Sequence, residues 1–292
     1  MLLLLSVVAL ADEGESVRTA GMAGTGVANW SDAQALQRSS AAMVLNQGYA
    51  VQLDGDWVGR DWGAQMAVVD TRTSQLGVGV AGRRGAVTQT PDPMPGWVLK
   101  GETPTDRVRD SRVTLGMGVG FVERPVMDGT KTRTVRRLGV GLGGYVERSN
   151  SELTGGTSNA WSVDASVAGL PVASLAVSGA LHSIIGVGDA PLWAEAGVWW
   201  TPAPWVGVGT DVAWDRRLGS VPIAARAGAT FEWQDTLSGS LGYGYEGGNH
   251  RIATGAGIAA QSVRFSYAFS MDAAPQQGLV GWVHTAGVRV EL

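Results

Sequence analysis

Residues 263–272 read Val-Arg-Phe-Ser-Tyr-Ala-Phe-Ser-Met-Asp. Val263, Phe265, Tyr267, Phe269 and Met271 share one parity, and Arg264, Ser266, Ala268, Ser270 and Asp272 share the other. Successive side chains of a strand point to opposite faces, so this stretch is a strand with one bulky apolar face and one small or polar face. Working outward, the same period returns. Val206, Val208, Val212 and Trp214 alternate with Gly207, Gly209, Asp211 and Ala213. Leu237, Leu241, Tyr243 and Tyr245 alternate with Ser238, Ser240, Gly242 and Gly244, and Val113 to Phe121 alternate with Arg112, Thr114 and three glycines. A soluble sandwich also alternates, but its inward face is bulky and its outward face charged. Here the non-apolar face is mostly Gly, Ala and Ser with an occasional charge, which suits a narrow wet lumen with the apolar face toward lipid. A sheet in lipid can leave no edge unpaired, so it must close.

The expected fold is therefore all-β, a transmembrane antiparallel β-barrel of about fourteen strands over residues 48–292. The strands are expected at 49–58, 61–70, 74–83, 111–122, 135–147, 159–168, 172–181, 192–200, 204–214, 221–232, 236–245, 251–260, 262–271 and 282–292. With both termini placed on the periplasmic side, most turns there are short and most outer connections longer, the usual asymmetry of such barrels. Two connections break it, 59–60 outside and 123–134 inside. The stretch 84–110, with four prolines, is expected to be a surface lid or a loop folded into the lumen. Trp199, Trp200, Trp205 and Trp233 gather at one set of strand ends and Trp57, Trp62, Trp214 and Trp282 at the other, as two interfacial girdles.

Composition agrees. The 292 residues include 43 Gly and 12 Trp, and this many aromatics argue against disorder despite the glycine. Without cysteine there is no disulfide framework or thiolate metal site, and a net charge of -4 of mixed sign gives no footprint for nucleic acid. Residues 1–11, Met-Leu-Leu-Leu-Leu-Ser-Val-Val-Ala-Leu-Ala, are too short to span a bilayer as a helix and end in a small-x-small step, so they are expected to be a cleaved export signal. Residues 12–47 differ in kind. Gly-rich turns precede a helix-like stretch near 32–44, with Ser31 or Asp32 as its cap. This segment is too short for a domain and too apolar for a linker, and it either plugs the lumen or packs under the barrel.

Candidate lumen-facing charges are Asp164, Glu195, Asp211, Arg226, Glu232, Arg264, Arg289 and Glu291. Their signs are close to balanced, which favours pairing across the interior over an ion-selective path. His182, His250 and His284 lack metal-ligand spacing, and the adjacent His182 and Ser183 would point to opposite faces of a strand, so neither a metal site nor an enzyme is expected. Gly139-x-Gly141-x-x-Gly144 fits a dinucleotide fingerprint, but strand alternation runs straight through it, and no cofactor is expected.

Three stretches resemble the FadL/PorV-like group of outer-membrane proteins. Gly21-Met22-Ala23-Gly24-Thr25-Gly26-Val27-Ala28 followed by Asp32-Ala33-Gln34-Ala35-Leu36 is similar to that group's N-terminal segment. Thr201-Pro202-Ala203-Pro204-Trp205 with the strands after it, including Ala225-Arg226-Ala227-Gly228-Ala229, resembles its late strands. Phe265 to Phe269 followed by His284-Thr285-Ala286-Gly287-Val288 resembles its closing hairpin. The chain departs where the group has an Asn-Pro-Ala step, carrying Arg38-Ser39-Ser40-Ala41-Ala42 instead, and it ends on Leu292 rather than an aromatic. The resemblance implies a bacterial outer-membrane location, with Gly21, Met22, Gly24, Gly26 and Asp32 in a plug-like segment. It also implies either of two functions: a channel for small hydrophobic molecules such as long-chain fatty acids, or a non-transporting scaffold. The implied partners are outer-membrane lipids, a hydrophobic substrate, and for a scaffold a protein docked through 84–110. A closed barrel predicts that the unheated protein runs anomalously on a denaturing gel and shifts on boiling. An unshifted band would refute it.

Overall fold

In the computed structural model, the described residues are 17–28, 35–45, 47–89, 106–128, 131–187, 192–215, 218, 222–274 and 279–291. The expected export signal, residues 90–105 of the expected surface loop, the Ser31 and Asp32 cap positions, and the terminal Leu292 lie outside them. The strands run in chain order: β1 (Tyr49–Val58), β2 (Asp61–Asp70), β3 (Leu76–Gln89), β4 (Asp106–Asp128), β5 (Lys131–Ser151), β6 (Thr157–Val172) and β7 (Leu175–Val187). They continue with β8 (Trp193–Ala203), β9 (Val206–Asp215), β10 (Ile223–Trp233), β11 (Leu237–Glu246), β12 (Asn249–Ala260), β13 (Val263–Ala274) and β14 (Leu279–Glu291). Each pairs antiparallel with its chain neighbours, and β1 pairs with β14 from Ala50–Glu291 to Trp57–His284, so a fourteen-strand barrel closes.

The alternation has the sense read from sequence. Leu53, Met66, Leu115, Met117, Val212, Leu241, Ile252 and Phe265 stand exposed on the outer face, while Gln52, Asp54, Ala67, Ala81, Ala213, Ala253 and Ala268 are buried inside. The rim holding the start of β1 and the end of β14 is called proximal here, the other distal. All connections at the proximal rim span only two to five residues, the gaps between successive strand bounds. The expected long inner connection 123–134 is instead strand, since β4 and β5 continue as a hairpin pairing through Asp128–Lys131. Val126, Thr132, Thr134 and Val135 supply β-branched residues there. Likewise β3 and β4 extend into 84–110, to Gln89 and from Asp106.

The described residues 17–28 and 35–45 lie inside the barrel. They contain three one-turn helices, α1 (Val17–Ala20), α2 (Ala35–Arg38) and α3 (Ser40–Met43). The continuous helix expected near 32–44 is broken at Ser39, whose extended backbone (φ -152°, ψ 96°) makes it the N-cap of α3, its hydroxyl accepting from Ala42 N–H. The segment fits because the wall carries glycine where the two approach most closely. A Cβ at Gly141 would sit 2.5 Å from Ala41 N, and one at Gly228 would sit 2.6 Å from Met22 Cβ. Met22, Val27, Val44 and Leu45 are consequently fully buried. Gly141→Val should expel α3 from its seat and expose the N-terminal segment to limited proteolysis, while the boiling-dependent gel shift persists.

Candidate functional site in the lumen

The interior is organised around Arg38. Its side chain is 4% exposed, and its guanidinium lies 2.8 Å from Glu195 Oε2 and 3.8 Å from Asp211 Oδ2. It also donates to the Gly24 carbonyl. Asp211 in turn accepts from Gly26 N–H (2.5 Å) and Val27 N–H (3.1 Å). One carboxylate therefore holds two turns of the segment, through the backbone and through Arg38. Next along the segment, Ser39 Oγ is 2.8 Å from Ser178 Oγ of β7, and Ala41 N–H donates to Ser166 Oγ of β6. A charge withdrawn from water this far is tolerated only when paired and hydrogen-bonded.

Beside this clamp, His182 stacks on Trp193 at 3.8 Å between ring centroids. Its Nε2 is 3.1 Å from Glu195 and its Nδ1 3.6 Å from Asp164. Sequence parity put His182 and Ser183 on opposite faces, yet both are buried. The ladder breaks here: Val163 pairs with Ile185 and Ala165 with Leu181, so β7 sets three residues against Asp164 alone. Ser183 takes a positive φ of 56°, and its N–H donates to Asp164 Oδ1 at 2.7 Å instead of to a strand partner. With both imidazole nitrogens facing carboxylates, neither is directed at Ser183. A cavity of about 10 Å³, lined by Gln37, Arg112, Thr114, Tyr145, Asp164, His182 and Trp193, lies above this group. Arg112 stacks over Tyr145 at 4.0 Å and pairs with Glu147.

The remaining charges of the sequence list occupy the lumen wall or its proximal rim, in pairs. Arg226 binds Glu246, Arg264 reaches Glu232 at 3.0 Å, and Arg289 reaches the half-exposed Glu291 at 2.8 Å. Arg18 joins Glu232 at 3.5 Å and lies 5.9 Å over the Trp199 ring. Of the plug candidates, Gly21 faces Ser240 and Gly255, Met22 covers Gly228 and Gly242, Gly24 (φ 84°) makes a turn closed to most residues, and Gly26 binds Asp211. Asp32 lies outside the described residues.

Sequence reading missed Arg38, Arg18, His182 as a lumen group, and the pair of Arg251 with Asp272 at 2.7 Å. The last was legible from strand parity. Arg38 was not, since nothing local says where a one-turn helix points. Trp199 departs from the girdle reading: it is 5% exposed and packs inside over Gly207 and Gly209, because odd positions of β8 face the lumen. Trp57, Trp62, Trp200, Trp205, Trp214, Trp233 and Trp282 are exposed on the outer face.

Solved structures share this architecture. The Pseudomonas putida toluene transporter TodX aligns over 96% of this chain and 98% of its own, at TM-score 0.68 and 11% identity. The CymD monoaromatic hydrocarbon channel aligns over 94% and 97%, at TM-score 0.67 and 11% identity. The fold is that of the FadL-like barrels. A Pseudomonas aeruginosa FadL homologue aligns over 94% of this chain and 96% of its own, at TM-score 0.67 and 11% identity. No family model matches the sequence, and no curated protein matches it. Within the FadL-like barrel, the interior segment is held by a buried ion cluster. Arg38→Met should leave Glu195 and Asp211 without their cation and cost about 3–5 kcal/mol. The expected readouts are a lower melting temperature and protease cleavage before residue 48. The triple variant Arg38→Met, Glu195→Gln, Asp211→Asn should recover part of the loss, because it leaves no lone charge behind.

Proposed function

We propose that the protein is an outer-membrane channel passing small hydrophobic molecules, with long-chain fatty acids among the candidate substrates, and that the described stretches 17–28 and 35–45 of the N-terminal segment belong to its plug. The fold shared with a toluene transporter and a hydrocarbon channel supports this reading. The observation that carries the route is the broken pairing between β6 and β7 at Asp164. These two strands also bear Ala168, Leu170 and Ala176, which pack with Met22, Ala28, Ala41, Ala42, Leu45 and Trp199 into an apolar cluster between plug and wall. Withdrawing the plug would strip Arg38 from two buried carboxylates. Loosening a bulge whose backbone N–H is already held by a side chain is the smaller cost. The substrate therefore leaves sideways through the wall at the bulge, with the plug seated.

Uptake of a labelled fatty acid or toluene by a complemented deletion strain tests this. A variant lacking Ser183 and Ile184 should regain a continuous β6–β7 ladder and fall to the uptake of the deletion strain. The double variant Ser39→Cys, Ser178→Cys, in a chain with no other cysteine, should oxidise to a disulfide that fixes the plug and leaves uptake unchanged. Uptake abolished by the disulfide and restored by reductant would move the route to the plug. Equal uptake with and without the wild-type protein would remove the transport reading.

A further inference from the structure

At the distal mouth two carboxylates face each other across a floor that has no side chains. Asp56, Gly63, Gly85 and Asp110 are successive partners in one row across β1, β2, β3 and β4. Strands lie about 4.8 Å apart, so the outer two backbones of this row are about 14 Å apart. Each carboxylate leans over the glycine beside it, which narrows that gap. A Cβ at Gly63 would stand 2.6 Å from Asp56 Oδ1, and one at Gly85 would stand 3.0 Å from Asp110 Oδ1. Either side chain larger than hydrogen would fill the notch.

Asp56 is 4% exposed, and its Oδ2 is buried with no hydrogen-bond partner. Leaving such an oxygen unmatched is costly, and a second carboxylate within electrostatic reach adds repulsion. Arg83, the cation within reach, sits one row further in, opposite Gln65 and Arg112. The clamp carboxylates Glu195 and Asp211, by contrast, each have an arginine partner. Asp54, the next lumen-facing residue of β1, accepts from Gln52 at 2.9 Å.

We infer that this notch binds a hydrated divalent cation, Mg²⁺ or Ca²⁺, which bridges Asp56 and Asp110 and ties β1 to β4 at the mouth. Among the described residues no three metal-ligating side chains are arranged to cage an ion. Two carboxylates with retained water are a coordination set that hard divalent cations use. The inference is independent of what the barrel transports.

Trp57 and Trp62 flank the site in sequence, so terbium can serve as the probe. In the purified full-length barrel, tryptophan-sensitised terbium luminescence should appear and be displaced by Ca²⁺. Asp56→Asn and Asp110→Asn should each lose the displaceable signal while keeping the boiling-dependent gel shift, and Gly63→Ala should lose it by filling the notch. Should Asp56→Asn not fold, Asp110→Asn, at a less buried position, decides the matter. A displaceable signal that survives in the folded variants would overturn the site. So would a wild-type barrel with no signal, which would leave a proton shared by the two carboxylates as the way the buried oxygen is satisfied.

Discussion

Backbone pairing without water is the constraint on which the rest depends. In lipid, each unmatched N–H or C=O costs several kcal/mol, so the last strand must meet the first. The β1–β14 ladder does this over eight residue pairs, from Ala50 to Trp57. Closure then fixes which face of every strand is interior, and with it the placement of every charge discussed above. It also creates a difficulty: fourteen strands enclose more space than a glycine-rich wall can fill. Residues 17–28 and 35–45 occupy it, and the glycines are what allow the approach. Met22 against Gly242 and Ala41 against Gly141 are contacts of backbone on backbone, available only where the wall has no Cβ.

A filled lumen raises a second demand, because a segment packed by close contact alone has no fixed rotation about the barrel axis. Arg38 meets it. A guanidinium shared between Glu195 of β8 and Asp211 of β9 is satisfied in one orientation, and Asp211 also accepts from Gly26 and Val27. Whether such buried ion pairs add net stability varies among proteins. Their geometric selectivity does not depend on that, since any other rotation parts both carboxylates from the guanidinium.

The wall was legible because its signal is repeated. All fourteen strands were readable from alternation, and the interior position of Asp211, Arg226 and Arg264 follows from their parity being opposite to that of Val212, Ala227 and Phe265. Parity failed where the backbone departs from regular extension. At Ser183 a positive φ inserts residues into β7, and His182 and Ser183 share the interior. At Ser39 a cap divides one expected helix into two. Nearness to a turn points Trp199 to the girdle, although its odd position in β8, shared with Glu195, places it inside. The segment itself had no period to read. Its position is set by long-range partners such as Ser178 and Ser166, which no local pattern reveals.

The departure at residues 38–42 from the Asn-Pro-Ala step takes on a physical meaning in this setting. Arg38, Ser39 and Ala41 engage in turn β8 and β9, then β7, then β6, so this short run reads four adjacent strands in order. A proline there would fix φ and remove one donor, whereas here the hydroxyl of Ser39 both caps α3 and touches Ser178. The same four strands carry the Asp164 bulge and the apolar cluster. Seating and the broken ladder are thus on one side of the barrel, and they share Glu195, which binds Arg38 and His182 at once. Glu195 therefore joins the seat to the bulge, while the glycines of the neighbouring strands β5 and β10 give the segment room.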